Sequence, residues 1–437
     1  KRSHEQKQNQ KMKRVLLGLS GVGSSGLLSL GSFSSAWSVK EAKAEPSCPS
    51  PPPVKSRLIF LGTGSSTGIP HPTCVFPQDL TTCGQDQKKE CSVCKSAVAT
   101  PPEMNKNYRN NPSVMIDWYN QEYDTHTYIQ IDATKHFKES VVRWYPRHGI
   151  PRLDALILTH DHADAVFGLD DVRGAQVPGG PATPVYLAEA TLATLRRRMP
   201  YLAPPPPPPV AAGEGPAEGR PAGPGAPGEG GVPDGRCRRP RPLSTSPQQQ
   251  APAVAVAPAP QQQGEEAKEE VQRWVTNLAF RTVVPFVPFR PAPGLRVTPV
   301  PVMHGEDYVS LGFVMEREQQ GKEQINGLGP DEGKTLVYIS DVSRVPARTL
   351  AYLRSLKSVD LLVVDALKAG DERHNTHFCE AEAAALAAAL GARRTLLLGL
   401  SHSFDHAPHQ ARLASQRARG GLDIQLSHDG LAVDLDL

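Results

Sequence analysis

Leu158-Thr-His160-Asp-His162-Ala-Asp164-Ala165 begins at the end of the apolar run 155–158, and its reading decides the fold. A short apolar run of this kind reads as a buried strand. Where the backbone stays extended past its end, residues two apart point the same way, so His160, His162 and Asp164 project together. Two imidazoles and a carboxylate at one strand end suit a divalent cation, and a catalytic zinc normally keeps one position open for water. The plain alternative is a polar surface loop, and alternation straight after a buried run argues against it.

Three more candidates follow strand-like runs. His304 comes after Val297-Thr-Pro-Val-Pro-Val302, Asp341 after Leu336-Val-Tyr-Ile-Ser340, and His402 after Leu396-Leu-Leu-Gly-Leu-Ser401. Singly, each reads as a capping or satisfied polar residue. Their recurrence at separate strand ends raises them, because a metal site is assembled from such loops, and a carboxylate such as Asp341 can bridge two ions. Further strands are expected at 58–61, 127–131, 335–339, 361–364, 395–398 and 424–426. The clearest helix is Glu380–Leu390, rich in Ala and Leu with acids in its first turn. Strands alternating with helices give an α/β class.

Composition sets the outer limits. The 43 prolines and 37 glycines are unevenly spread through 437 residues, and aromatics make up only 6%. Residues 1–57 are read as a tail; from Met12 to Lys40 it lacks acids and is rich in Ser, Gly and Leu, which fits a plastid or mitochondrial transit peptide. A disordered leader on a cytoplasmic protein is the alternative. Residues 203–268 open with six consecutive prolines and continue as Ala/Gly/Pro, Gln-rich and Glu-rich runs, so they are expected to be a disordered insert. It divides a single domain into 58–202 and 269–437. A net charge of +3 gives no basic field for generic nucleic-acid binding. The 7 cysteines, an odd number, argue against a secreted disulfide framework. No run of roughly 18 apolar residues exists, so no membrane span is expected.

Leu61-Gly-Thr-Gly-Ser-Ser-Thr-Gly-Ile-Pro70, Thr159 to Ala165, Gly168-Leu-Asp-Asp-Val-Arg173, His304, Ser340-Asp341 and Ser401-His402 occur in the order of the metallo-β-lactamase superfamily. The set resembles its phosphodiesterase branch, the PhnP-like enzymes and more distantly tRNase Z. That resemblance implies an αββα sandwich with two divalent ions, zinc or manganese. His160, His162 and His304 would hold one, Asp164 and His402 the other, and Asp341 would bridge. The superfamily pattern ends in Asp-His, whereas Ala165 follows Asp164 here. His377, in His374-Asn-Thr-His377-Phe, is the nearest replacement ligand; it could equally contact a substrate phosphate or protonate a leaving alkoxide.

Cys91-Ser-Val-Cys94 has zinc-knuckle spacing, with Cys74 and Cys83 upstream. By the same resemblance Cys74, Cys91, Cys94 and His406 would hold one structural zinc. The glycines of 62–68 lack a P-loop lysine and read as a tight loop near the site. Asp132 is expected to brace the metal-ligand loop.

The function expected is a metal-dependent hydrolase of a small phosphodiester or cyclic phosphate, with Asp164 and His377 carrying catalysis. Thioester or other acyl hydrolysis, and a catalytically silent scaffold, are the alternatives. RNA is disfavoured as substrate because the insert is not a basic Gly-rich arm, and a homodimer is left open.

Overall fold

The structure, a computed structural model, describes residues 55–76, 91–204, 276–318 and 334–435. The leader and the low-complexity insert expected from sequence lie almost wholly outside these residues. Their expected edges shift where the core claims them: Ser56 and Arg57 pair with a strand, and Ala203 is buried.

Two seven-stranded sheets pack face to face. The first holds β1 (Ser56–Gly62), β2 (Ser113–Asn120), β3 (Thr125–Ile131), β4 (Ala155–Ile157), β5 (Thr183–Leu187), β6 (Leu278–Thr282) and β14 (Ala432–Leu435), in the order β14-β1-β2-β3-β4-β5-β6. The second holds β7 (Phe289–Ala292), β8 (Leu295–Met303), β9 (Val309–Arg317), β10 (Thr335–Ile339), β11 (Leu361–Asp365), β12 (Arg394–Leu398) and β13 (Ile424–Leu426), in the order β13-β12-β11-β10-β9-β8-β7.

Period-two alternation explains why both faces of each sheet are dry. Leu58 and Phe60 point between the sheets with Trp118, Phe313, Leu336 and Tyr338. Their neighbours Ile59 and Leu61 point outward, against α2 (Phe137–His148) and α3 (Glu189–Arg198) through Phe137, Trp144, Leu192 and Leu195. On the second sheet Val337 and Ile339 point outward, against Leu353 of α4 (Ala347–Arg354), Leu386 of α5 (Glu380–Leu390) and Leu413 of α6 (His406–Ala418). The result is helix, sheet, sheet, helix, the sandwich that the resemblance implies. Helix α1 (Ser92–Ala99) carries the cysteine pair on its first turn. Among the described residues no helix is long and apolar enough to cross a membrane.

Topology gathers the chemistry at one edge. β10, β11, β12 and β13 run parallel, as do β3, β4, β5 and β6, so within each set the carboxyl ends lie on the same side. The sheets are tied there: Leu311 N of β9 donates to Thr159 O at 3.0 Å, and Leu400 N donates to Thr63 O at 2.9 Å. The glycine loop comes close enough that a Cβ on Gly62 would lie 2.0 Å from Asn111 O, so the first strand turns there without a side chain.

Candidate metal centre

His160 and His162 leave the end of β4, and His304 leaves the end of β8. Their ligand nitrogens lie within 4.8 Å of one another. The ring centroids are 4.6 Å apart for His160 and His162, 5.1 Å for His162 and His304, and 5.5 Å for His160 and His304. His304 Nδ1 lies 2.8 Å from Thr376 O. A carbonyl only accepts, so Nδ1 carries the proton and Nε2 keeps a free lone pair. Asp132 braces the other loop as expected, accepting from Thr159 N and Thr159 Oγ1 at 2.8 Å each. With its hydrogen committed to Asp132, that hydroxyl accepts from His160 Nδ1, also at 2.8 Å. His160 Nε2 is then buried and has no partner among the described residues.

The electrostatics keep two of these imidazoles, His160 and His162, in their ligating form. Burial pushes His160 down to about 4 against the pull of Asp341, and burial together with His304 lowers His162. Three imidazoles in one cluster, one with an orphaned buried nitrogen, fit a divalent ion. Burial alone would raise Asp341, but His160, His377 and His304 outweigh it and hold this carboxyl below its usual range. Asp164 is raised by burial and then by Asp341, so it lies close enough to that carboxylate to feel it.

His377, and not His402, lies against this group. Ligand atoms of His304, Asp341 and His377 cluster within 4.8 Å, and the His304 and His377 rings are 4.8 Å apart. His377 Nδ1 meets Asp365 Oδ2 at 2.7 Å. Burial disfavours the charged imidazole, yet Asp365 more than compensates and raises His377 to about 9. Burial raises Asp365 to about 6, with His377 opposing. Asp365 was not among the expected site residues, although it ends an apolar run just as Asp341 follows one. Room for it comes from Gly399, at φ +72°, where a Cβ would lie 2.3 Å from Asp365 Oδ1. Gly399→Ala should therefore displace Asp365 and cost about 1–3 kcal/mol through backbone strain. Unchanged denaturant midpoints and an unchanged His377 NMR titration would show that Asp365 does not need this space.

His402 lies with the cysteines. Its Nδ1 is 3.2, 3.7 and 3.6 Å from the Sγ atoms of Cys74, Cys91 and Cys94. Burial raises the Cys94 thiol to about 12; His71 N–H opposes this, and the neighbouring thiols add to it. Three sulfurs and an imidazole in one nest are the kind of donor set that suits a tetrahedral zinc ion. His406, expected as the fourth member, is instead at the start of α6, where its N donates to Asn107 Oδ1 at 2.8 Å. Its ring lies 5.6 Å from His428. The reason for the exchange is Arg109, a fully buried guanidinium that donates to Ser401 O at 3.0 Å and Phe404 O at 2.8 Å. It fixes the turn after β12 so that His402 leaves the sheet edge toward α1.

A family model described as "Beta-lactamase superfamily domain" matches residues 127–222 and 241–399. An octanoyltransferase of Porphyromonas gingivalis (strain ATCC BAA-308 / W83) is 31% identical over 146 residues, which are 33% of this chain and only 23% of that protein. Among solved structures, a diphosphatase from the PhnP family superposes with a TM-score of 0.52 at 22% identity, covering 88% of this chain and 99% of its own. Zinc-bound PqqB from Methylobacterium extorquens gives 0.51 at 16%, covering 87% and 100%. Those two likenesses speak for the fold. The family match covers more than half of the sequence, and its residues carry both the histidine triad and Asp341: the chain belongs to the metallo-β-lactamase superfamily of hydrolases.

Proposed function

We propose that the protein is a metal-dependent phosphodiesterase in which His377 protonates the leaving alkoxide. The observation that carries this reading is the His377–Asp365 pair, 2.7 Å long, set against the histidine triad through His304. A bound divalent ion would supply an activated water and charge stabilisation at phosphorus. His160, His162 and His304 would hold it with Asp341 alongside. Asp164 and Asp341 remain to hold a second ion, and either zinc or manganese suits these donors. Raised to about 9, His377 carries a proton on each ring nitrogen: the one on Nδ1 is held by Asp365, and the one on Nε2 is given to the leaving alkoxide. Cationic groups suit an anionic substrate. Lys135, which donates to Ser66 O at 2.7 Å, acts on Asp164, and Arg198 donates to Asp161 O at 3.1 Å.

The test is His377→Gln on two phosphodiesters. With an alkyl leaving group kcat should fall by roughly a hundredfold or more. With bis-p-nitrophenyl phosphate, whose leaving group needs no proton, the loss should be far smaller, and metal content should not change. Equal losses on both substrates would overturn the acid role. A second reading, acyl hydrolysis, is favoured by the match to part of an octanoyltransferase. Turnover of an octanoyl thioester by an enzyme inert toward phosphodiesters would establish it instead.

A further inference from the structure

We infer that Tyr308 is the positioning residue of the histidine triad, setting the orientation of His162 and the spacing of the loops that carry the three imidazoles. It touches the triad in several independent ways. Its ring stacks on His162 at 4.5 Å and 18°, the most parallel of the ring contacts in this cluster. The same ring meets His160 and His304 edge-on, each at 6.0 Å. Its backbone carbonyl accepts from His304 N at 2.8 Å, closing the turn that begins at the end of β8. Its hydroxyl donates to Asp161 Oδ1, and Asp161 N donates back to that oxygen at 3.2 Å. Asp161 is the residue between His160 and His162, so this bond ties the two ligand loops to each other.

Asp161 is held from its other side as well. Arg198 at the end of α3 donates to its carbonyl at 3.1 Å, and the Thr194 side chain bonds to its carboxylate. The loop is thereby gripped between α3 and Tyr308. An imidazole that must meet an ion at a fixed angle gains from such a grip, because the rotamer freedom lost on binding has already been surrendered in the fold. His160 and His304 have polar partners of their own at Nδ1. The stacked phenol does this work for His162.

The inference rests only on His160, His162 and His304 holding an ion, and not on which bond is hydrolysed. Its test is therefore metal affinity, read without substrate by chelator competition with zinc, and by the visible absorption of the cobalt-loaded protein. Tyr308→Phe keeps the stacked ring and the backbone carbonyl but loses the hydroxyl tie. It should weaken zinc at the triad about tenfold and shift the cobalt spectrum. Tyr308→Leu, which also loses the stacking, should weaken it further, roughly a hundredfold. Asp161→Asn, which leaves the ring in place, should fall near Tyr308→Phe. Should the leucine variant fail to fold, the phenylalanine and asparagine variants decide the matter. A lowered Tm with unchanged zinc affinity and an unchanged cobalt spectrum in both would make Tyr308 a packing residue only, and the inference would be wrong.

Discussion

His160→Ala should abolish tight metal binding at the triad and lower turnover by roughly a thousandfold or more. His160 is only 2% exposed, and its Nε2 has no partner among the described residues. An unpaired buried nitrogen costs stability unless something arrives to use its lone pair. Removing the ring deletes that liability together with the ligand, so the apo variant should melt no lower than the apo wild type by more than about the cost of a small cavity. The metal-loaded forms should separate widely, because binding to the native state alone raises stability by mass action. Scanning calorimetry with and without zinc, beside turnover, reads both. Equal shifts on adding zinc to the two proteins would mean that the ion binds elsewhere and that the triad is structural.

Cys94→Ser should remove about one equivalent of zinc and cost on the order of 3–5 kcal/mol, at the upper end of single substitutions. Cys94 is fully buried and accepts from His71 N at 3.3 Å. A serine there keeps a polar atom but loses the thiolate that the site needs. Activity should suffer too, although the residue is no part of the triad. Ser401 N donates to Leu367 O at 3.2 Å and Ser403 Oγ accepts from Ala369 N at 3.0 Å, so the residues flanking His402 also hold the loop that leads to His377. Full zinc content and unchanged melting in Cys94→Ser would overturn the assignment of this cluster.

The triad was legible because its signal is local. Their place straight after a buried run marked His160 and His162, whereas Asp164 lies in the short helix Ala163–Val166, so strand alternation is not what orients it. His304 and Asp341 followed from the same pattern at other strand ends. His377 was legible as a candidate for the site, but the departure of His402 to the cysteines was not. Each follows a strand and a turn, and what sorts them is distant: Arg109 pulls the turn after β12 one way, while Asp365 captures His377. Strands β2 and β9 were missed because Asp117 and Gly312 interrupt their apolar pattern. Asp117 is in fact paired with Arg57 at 2.6 Å, and a Cβ on Gly312 would meet Tyr338 O at 2.9 Å. Tyr308 carried no sequence signal, since an aromatic residue beside a turn is ordinary.

The thiol cluster also has a history within each molecule. Cys94 and His402 stand 308 positions apart, and Cys74 and His402 328. At ribosomal speeds of about 5–20 residues per second, the three thiols emerge roughly 15–65 s before the imidazole that completes their nest. During that interval the growing polypeptide holds its sulfurs without their native fourth partner, and β1 waits still longer for β14. Zinc supply and reducing power at the moment of synthesis, rather than in the finished protein, should thus decide what fraction of chains reaches the native state.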